Sequence, residues 1–122
     1  VVALYGLRLH SPLILVPRFN PKRMVSALRE ERVTLLPLVP TMYTVLVGMA
    51  EKLGPDPFPD LQLCISGGAA LPPELLAKTE AALGAMVLEG YGMTEMSPVI
   101  AVNAPARGSV PGTVGKPLHN IQ

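Results

Sequence analysis

Charge is scarce in this chain. Asp, Glu, Lys and Arg make up 16% of its residues, against roughly 25% in an ordinary soluble domain. The formal net charge is only +1, so neither nucleic acid nor an anionic membrane surface is implied as a partner. Cysteine is scarcer still. The one thiol, Cys64, excludes an internal disulfide. Its place in the apolar run 61–65 reads as a buried structural thiol, not a nucleophile. No apolar stretch reaches the about 18–20 residues that span a bilayer; the run 1–9 is too short and is broken by Arg8. No secretory leader is recognisable. The expected setting is the cytoplasm, or the cytoplasmic face of a membrane. An initiating Met and a charged tail are also absent, and both ends, Val1 and Ile121-Gln122, read as interrupted.

What the chain does have is apolar surface. Apolar residues make up 49% of its 122 positions, and the mean hydropathy is +0.40. A domain of this size leaves much of its surface in water, so such a composition calls for partner surfaces. The chain reads as a piece of a larger core or as one half of an oligomer.

The pattern along the chain alternates helix and strand. Residues 1–9 read as the end of a helix. Leu13-Ile14-Leu15-Val16, between Pro12 and Pro17, reads as a strand buried on both faces. Asn20-Pro21 is a helix start, an N-cap followed by proline at the first position, with Met24, Val25 and Leu28 recurring at helical spacing. The run Arg29-Glu30-Glu31-Arg32 reads as a solvated helix face. Val33-Thr34-Leu35-Leu36 reads as a second strand, closed by Pro37. Pro40 opens a helix to about Leu53. Residues 54–60, with three prolines, form a loop. Residues 61–65 read as a third strand, Pro72 as the start of a helix to about Leu83, residues 85–88 as a fourth strand and 99–102 as a fifth. Residues 103–122 are rich in turn formers. The fold class expected is α/β, a mostly parallel sheet with flanking helices, and in such sheets ligands bind beyond the carboxyl ends of the strands.

Two glycine-rich segments fall at that edge. Ser66-Gly67-Gly68-Ala69-Ala70-Leu71 joins a strand to a helix. Its small residues leave open backbone against which a flat ring can lie, although a tight turn needs small residues too. It is not the dinucleotide fingerprint, because the third glycine of that pattern is missing. Gly90-Tyr91-Gly92-Met93-Thr94-Glu95 is more specific. Glycines allow close backbone approach, a Tyr ring offers a face to a base, Thr can bond a phosphate oxygen, and Glu can hold a hard cation such as Mg²⁺. The plainer alternative is a loop with a solvated Glu and a core Tyr. Val39-Pro40-Thr41-Met42-Tyr43 opens a helix at the same edge, as pocket lining or as ordinary core. Lys116, in the turns of 108–118, could reach a phosphate but reads better as part of a structural turn. His10 and His119 are given no role.

Four segments in order then resemble the AMP-forming acyl-CoA synthetases of the adenylate-forming superfamily: Val39-Pro40-Thr41, residues 66–71, residues 90–95, and Val114-Gly115-Lys116-Pro117. The Tyr-Gly-Met-Thr-Glu core is the most specific of them. Val-Pro-Thr-Met-Tyr, and the Ser-Pro-Val that follows Glu95, look most like long-chain fatty-acid–CoA ligases. The resemblance implies activation of a fatty acid or other carboxylate with ATP and Mg²⁺ to an acyl-adenylate, then transfer to coenzyme A. It implies Gly68, Ala69 and Ala70 along the adenine and Tyr91 on its other face. It puts Gly92 and Met93 near the acyl-phosphate, Thr94 on the phosphate and Glu95 on Mg²⁺, the last two as the catalytic pair. AMP is the nucleotide product held at the same site.

The family's phosphate loop with its Lys, its ribose-binding Asp and its C-terminal lid with a catalytic Lys match nothing in these 122 residues. The resemblance therefore implies a central portion of the large N-terminal AMP-binding domain, a partial subdomain of a larger adenylate-forming domain, inactive without the remainder of the parent enzyme. Three other readings stay open: an amino-acid- or aryl-acid-activating adenylation domain, a non-catalytic nucleotide-binding or interaction module, and a chain that pairs with a second copy through exposed sheet edges.

Overall fold

The computed structural model describes residues 2–119 and 121. Helix α1 spans Val2–Arg8 and α2 spans Pro21–Glu30. The α2 start follows its local chemistry. Asn20 Oδ1 accepts a hydrogen bond from the Arg23 amide at 3.1 Å, satisfying a donor the helix itself leaves open. Met24, Val25 and Leu28 turn inward. Then follow β1 (Leu35–Leu38), α3 (Pro40–Ala50), β2 (Leu63–Ser66), α4 (Pro73–Leu83), β3 (Met86–Tyr91), β4 (Ala101–Val102) and β5 (Lys116–Pro117). Short 3₁₀ turns cover Thr94–Met96 and Pro105–Arg107.

The five strands form one sheet in chain order. The pairs β1–β2 and β2–β3 are parallel; β3–β4 and β4–β5 are antiparallel. Helices α3 and α4 are the crossovers between neighbouring parallel strands, and they pack on each other over one face of the sheet. Leu36, Cys64 and Val87 stand in register across that face, and all three are buried. Tyr43, Leu46 and Ala50 of α3, with Leu76 and Leu83 of α4, close over them together with Phe58 and Leu61. The Tyr43 hydroxyl lies 2.7 Å from the Leu36 carbonyl oxygen and 3.1 Å from that of Ile65, so one phenol ties α3 to β1 and β2. Glu80 of α4 accepts from the Val87 amide at 2.9 Å, which fastens α4 to β3. Because side chains on a strand alternate between faces, the next row on the helix face is Leu38, Ser66 and Glu89. That row brings polar groups to the carboxyl end of the sheet.

Several boundaries differ from those the sequence suggests. Residues 13–16 are not a strand; they have no ladder partners, and Leu15 is 76% exposed. An apolar run says nothing about whether a neighbouring strand is there to pair with it. The first strand is Leu35–Leu38, two residues later than expected, with Pro37 inside it. Proline is tolerated there because β1 is an edge strand and need not donate on its free side. Helix α3 stops at Ala50, and Arg32 leaves α2 altogether to bond Asp60 at 3.1 Å. Strand β3 runs on through Glu89-Gly90-Tyr91, β4 is only two residues long, and β5 was not expected at all. The parallel half of the sheet is as expected, whereas its last two strands turn antiparallel. Among the described residues no helix is long and apolar enough to cross a membrane.

Candidate functional site

Three of the four sequence motifs meet at the carboxyl ends of β1, β2 and β3. Strand β2 ends at Ser66 and pairs with β3 only as far as Glu89. Beyond that point β3 continues beside β4, through Gly90–Val102 and Tyr91–Ala101. The turn after β2 sits against this extension: a Cβ placed on Gly67 would lie 3.6 Å from the Gly90 carbonyl oxygen. Gly68, with φ +81°, faces Val39, whose Cγ1 would be 3.4 Å from a Cβ there. The backbone of 67–68 is thus bounded by Val39 on one side and by Gly90 on the other.

The residues expected to bind a ligand are open to solvent. Gly68, Ala69 and Ala70 are exposed, as is every residue from Tyr91 to Pro98. Tyr91 is 47% exposed, so it does not belong to the core formed by these residues. Neither the Thr94 hydroxyl nor the Glu95 carboxylate has a partner among the described residues. Thr94 and Glu95 sit on the 3₁₀ turn between β3 and β4, which ends at Ser97 in the left-handed region, φ +61°. Gly92 is required by contact: a Cβ there would run into the Pro98 carbonyl oxygen and come within 2.9 Å of Val99 Cα. That closure folds 92–98 back on itself and holds the turn at the strand end.

Glu95 suits a hard cation in one respect only. No cluster of three or more ligating His, Cys, Asp or Glu side chains occurs among the described residues. Mg²⁺, however, commonly takes one or two protein carboxylates and fills its remaining positions with water and substrate phosphate oxygens. A single exposed, unpaired carboxylate fits that pattern. Lys116 stands exposed in β5, paired with Val102, in a strand and not in the turn expected for it.

Two residues escaped the sequence reading. Glu89 is buried, 4% exposed, and its Oε1 accepts from the Leu71 amide at 2.9 Å. Asn103 is buried too; its amide donates to the Glu89 carbonyl at 3.0 Å and its Nδ2 to the Thr113 carbonyl at 2.7 Å. The signal for Glu89 was available: a carboxylate directly after the apolar pair Val87-Leu88 has to be satisfied somewhere. Asn103, in a run of turn formers, carried no such signal. Cys64 lies in the core, and burial pushes its thiol up to about 12, so it stays protonated and unreactive at neutral pH. Burial likewise raises the Tyr43 phenol.

At one end of this α/β sheet an open, aromatic, carboxylate-bearing turn thus lies beside a glycine-rich turn. A family model for the AMP-binding enzymes matches residues 1–122, and the chain belongs to that family. It is 35% identical over 113 residues to a long-chain-fatty-acid–CoA ligase of Bacillus subtilis, covering 93% of this chain and 20% of that protein. It is 31% identical over 124 residues to the mitochondrial malonate–CoA ligase of Homo sapiens, covering 89% and 21%. The crystal structure of ATP-bound MatB from Rhodopseudomonas palustris superposes with a TM-score of 0.84 at 32% identity, over 96% of this chain and 22% of that one. The chain therefore spans about a fifth of the length of these relatives.

Proposed function

We propose that the protein carrying this chain is an AMP-forming acid–CoA ligase, and that residues 1–122 are a central part of its large N-terminal domain. The observation that carries the reading is the meeting of two turns. Gly67 abuts Gly90, so the open backbone at Gly68, Ala69 and Ala70 and the exposed ring of Tyr91 lie at one sheet edge. A planar base held between a ring and a bare backbone needs that arrangement. In this reading Tyr91 packs on one face of the adenine and 68–70 on the other. The Thr94 hydroxyl donates to a phosphate oxygen. Gly92 and Met93 border the reacting carboxylate.

The carboxylate oxygen attacks the α-phosphorus, forming an acyl-phosphate bond as pyrophosphate leaves. The coenzyme A thiol then attacks the acyl carbon and releases AMP. Mg²⁺ held at Glu95 would supply positive charge to the leaving phosphates. The chain's own part is to fix the base and aim its hydroxyl and carboxylate where charge develops.

For the acid, a long-chain fatty acid is our first choice, on the identity to the Bacillus subtilis ligase. Malonate is the second, on the identity to the Homo sapiens enzyme. Pyrophosphate release by the full-length protein, measured with ATP, Mg²⁺ and a panel from malonate to palmitate, tests both. Palmitate-dependent release above the other acids is expected, and release with none of them sinks the ligase reading. Glu95→Gln should slow adenylate formation by about 10²-fold, within the range seen when one charge-stabilising group is lost; an unchanged rate removes Glu95 from the site.

A further inference from the structure

We propose that Glu89 is a positioning residue that ties the adenine turn to the strand carrying the catalytic turn, and that its acceptor oxygen, not its charge, does this. Several observations combine. Glu89 is buried on the helix face of the sheet, in register with Ser66. Its Oε1 accepts from the Leu71 amide at 2.9 Å, which is the amide just before α4 and just after the exposed 68–70. The turn 67–70 itself makes no hydrogen bond to β3 among the described residues. On its backbone side, the same residue accepts from the Asn103 amide at 3.0 Å and lies 3.4 Å from Asn103 Nδ2, and Asn103 in turn bonds Thr113. One residue thus joins three segments, its side chain holding the first turn and its carbonyl holding the segment after β4. A carboxylate taken this far out of water is retained at a cost, which points to a task at this position.

This division of labour makes the idea testable without any ligand. The catalytic consequence rests on the ligase reading above; the tether itself does not. Amide hydrogen exchange is measured on the nucleotide-free, full-length protein. In wild type the Leu71 amide should exchange slowly although 68–70 beside it are exposed. In Glu89→Met, which keeps length and removes the acceptor, Leu71 should exchange about tenfold faster, the loss of one buried hydrogen bond. The Asn103 amide should stay at the wild-type rate, because the Glu89 carbonyl remains. Glu89→Gln, which keeps an acceptor oxygen, should restore slow exchange at Leu71.

Equal protection of Leu71 in Glu89→Met and wild type overturns the tether, and so does joint opening of Leu71 and Asn103, which is a general loss of structure. Should Glu89→Met fail to fold, wild type decides alone: a Leu71 amide as fast as those of 68–70 overturns the proposal. For catalysis, the KM for ATP should rise about tenfold in Glu89→Met and recover in Glu89→Gln, while the KM for the acid and kcat change little. An unchanged KM for ATP overturns the positioning role. A wild-type protein that does not bind ATP overturns the ligase reading and the positioning role together, and leaves the tether to be judged on Leu71.

Discussion

A missing side chain and a buried thiol set the two sharpest expectations at the scale of single residues. Gly92 has no room for a methyl group, since the obstacle is the Pro98 and Val99 backbone and not a flexible side chain. Gly92→Ala should therefore cost about 1–3 kcal/mol, as overpacking usually does, read as a lower urea midpoint of the full-length protein. Cys64 has its thiol raised from an ordinary 9.0 to about 12 by burial. Above pH 9.0 the unfolded chain releases a proton that the folded chain keeps, so stability is full below that pH and falls between 9.0 and about 12. Urea midpoints across that window should drop more steeply for wild type than for Cys64→Ala. The inward place of Cys64 was legible from its apolar neighbours. The exposure of Tyr91, by contrast, could not be read from sequence. A ring after Glu89-Gly90 faces core or solvent according to how far β3 outlasts β2, and that is a property of pairing.

Among the elements, the strongest sequence signals were those with a local mechanism. Asn20-Pro21 starts α2 and Pro40 starts α3, because caps and proline act within one turn. Strands depend on neighbours, and there the reading slipped: residues 13–16 have the composition of a buried strand and no ladder, while Lys116–Pro117 has neither apolar run nor alternation and is paired all the same. Helix α3 shows how the elements are joined. Its Tyr43 hydroxyl serves the carbonyls of Leu36 and Ile65, which lie on different strands. Tyr43→Phe should lower stability by about 1–3 kcal/mol, the cost of leaving buried acceptors short of a donor, and denaturant unfolding of the full-length protein measures it. A change below a few tenths would mean that the phenol is not the link between α3 and the sheet.

The helices α3 and α4 cover one face of the sheet, and apolar groups show elsewhere on the molecule. Leu4, Leu7 and Leu9 are 72%, 60% and 56% exposed, and Leu15 is 76% exposed. The apolar excess in the composition foreshadowed such surfaces, although not where they would be. The 122-residue chain produced by itself should self-associate as concentration rises and show no ligase turnover; light scattering of a clean monomer at all concentrations contradicts the first, and measurable coenzyme A thioester the second. One last consequence follows from β3 outrunning β2. Val87, Glu89 and Tyr91 share a face because they are two apart. Deleting a single residue between Val87 and Glu89 would turn the Glu89 carboxylate and the Tyr91 ring to the opposite side together, with both side chains still present. In this region the count of residues matters as much as their kind, so a chain that keeps the motif letters but shifts their parity relative to β2 would lose the site.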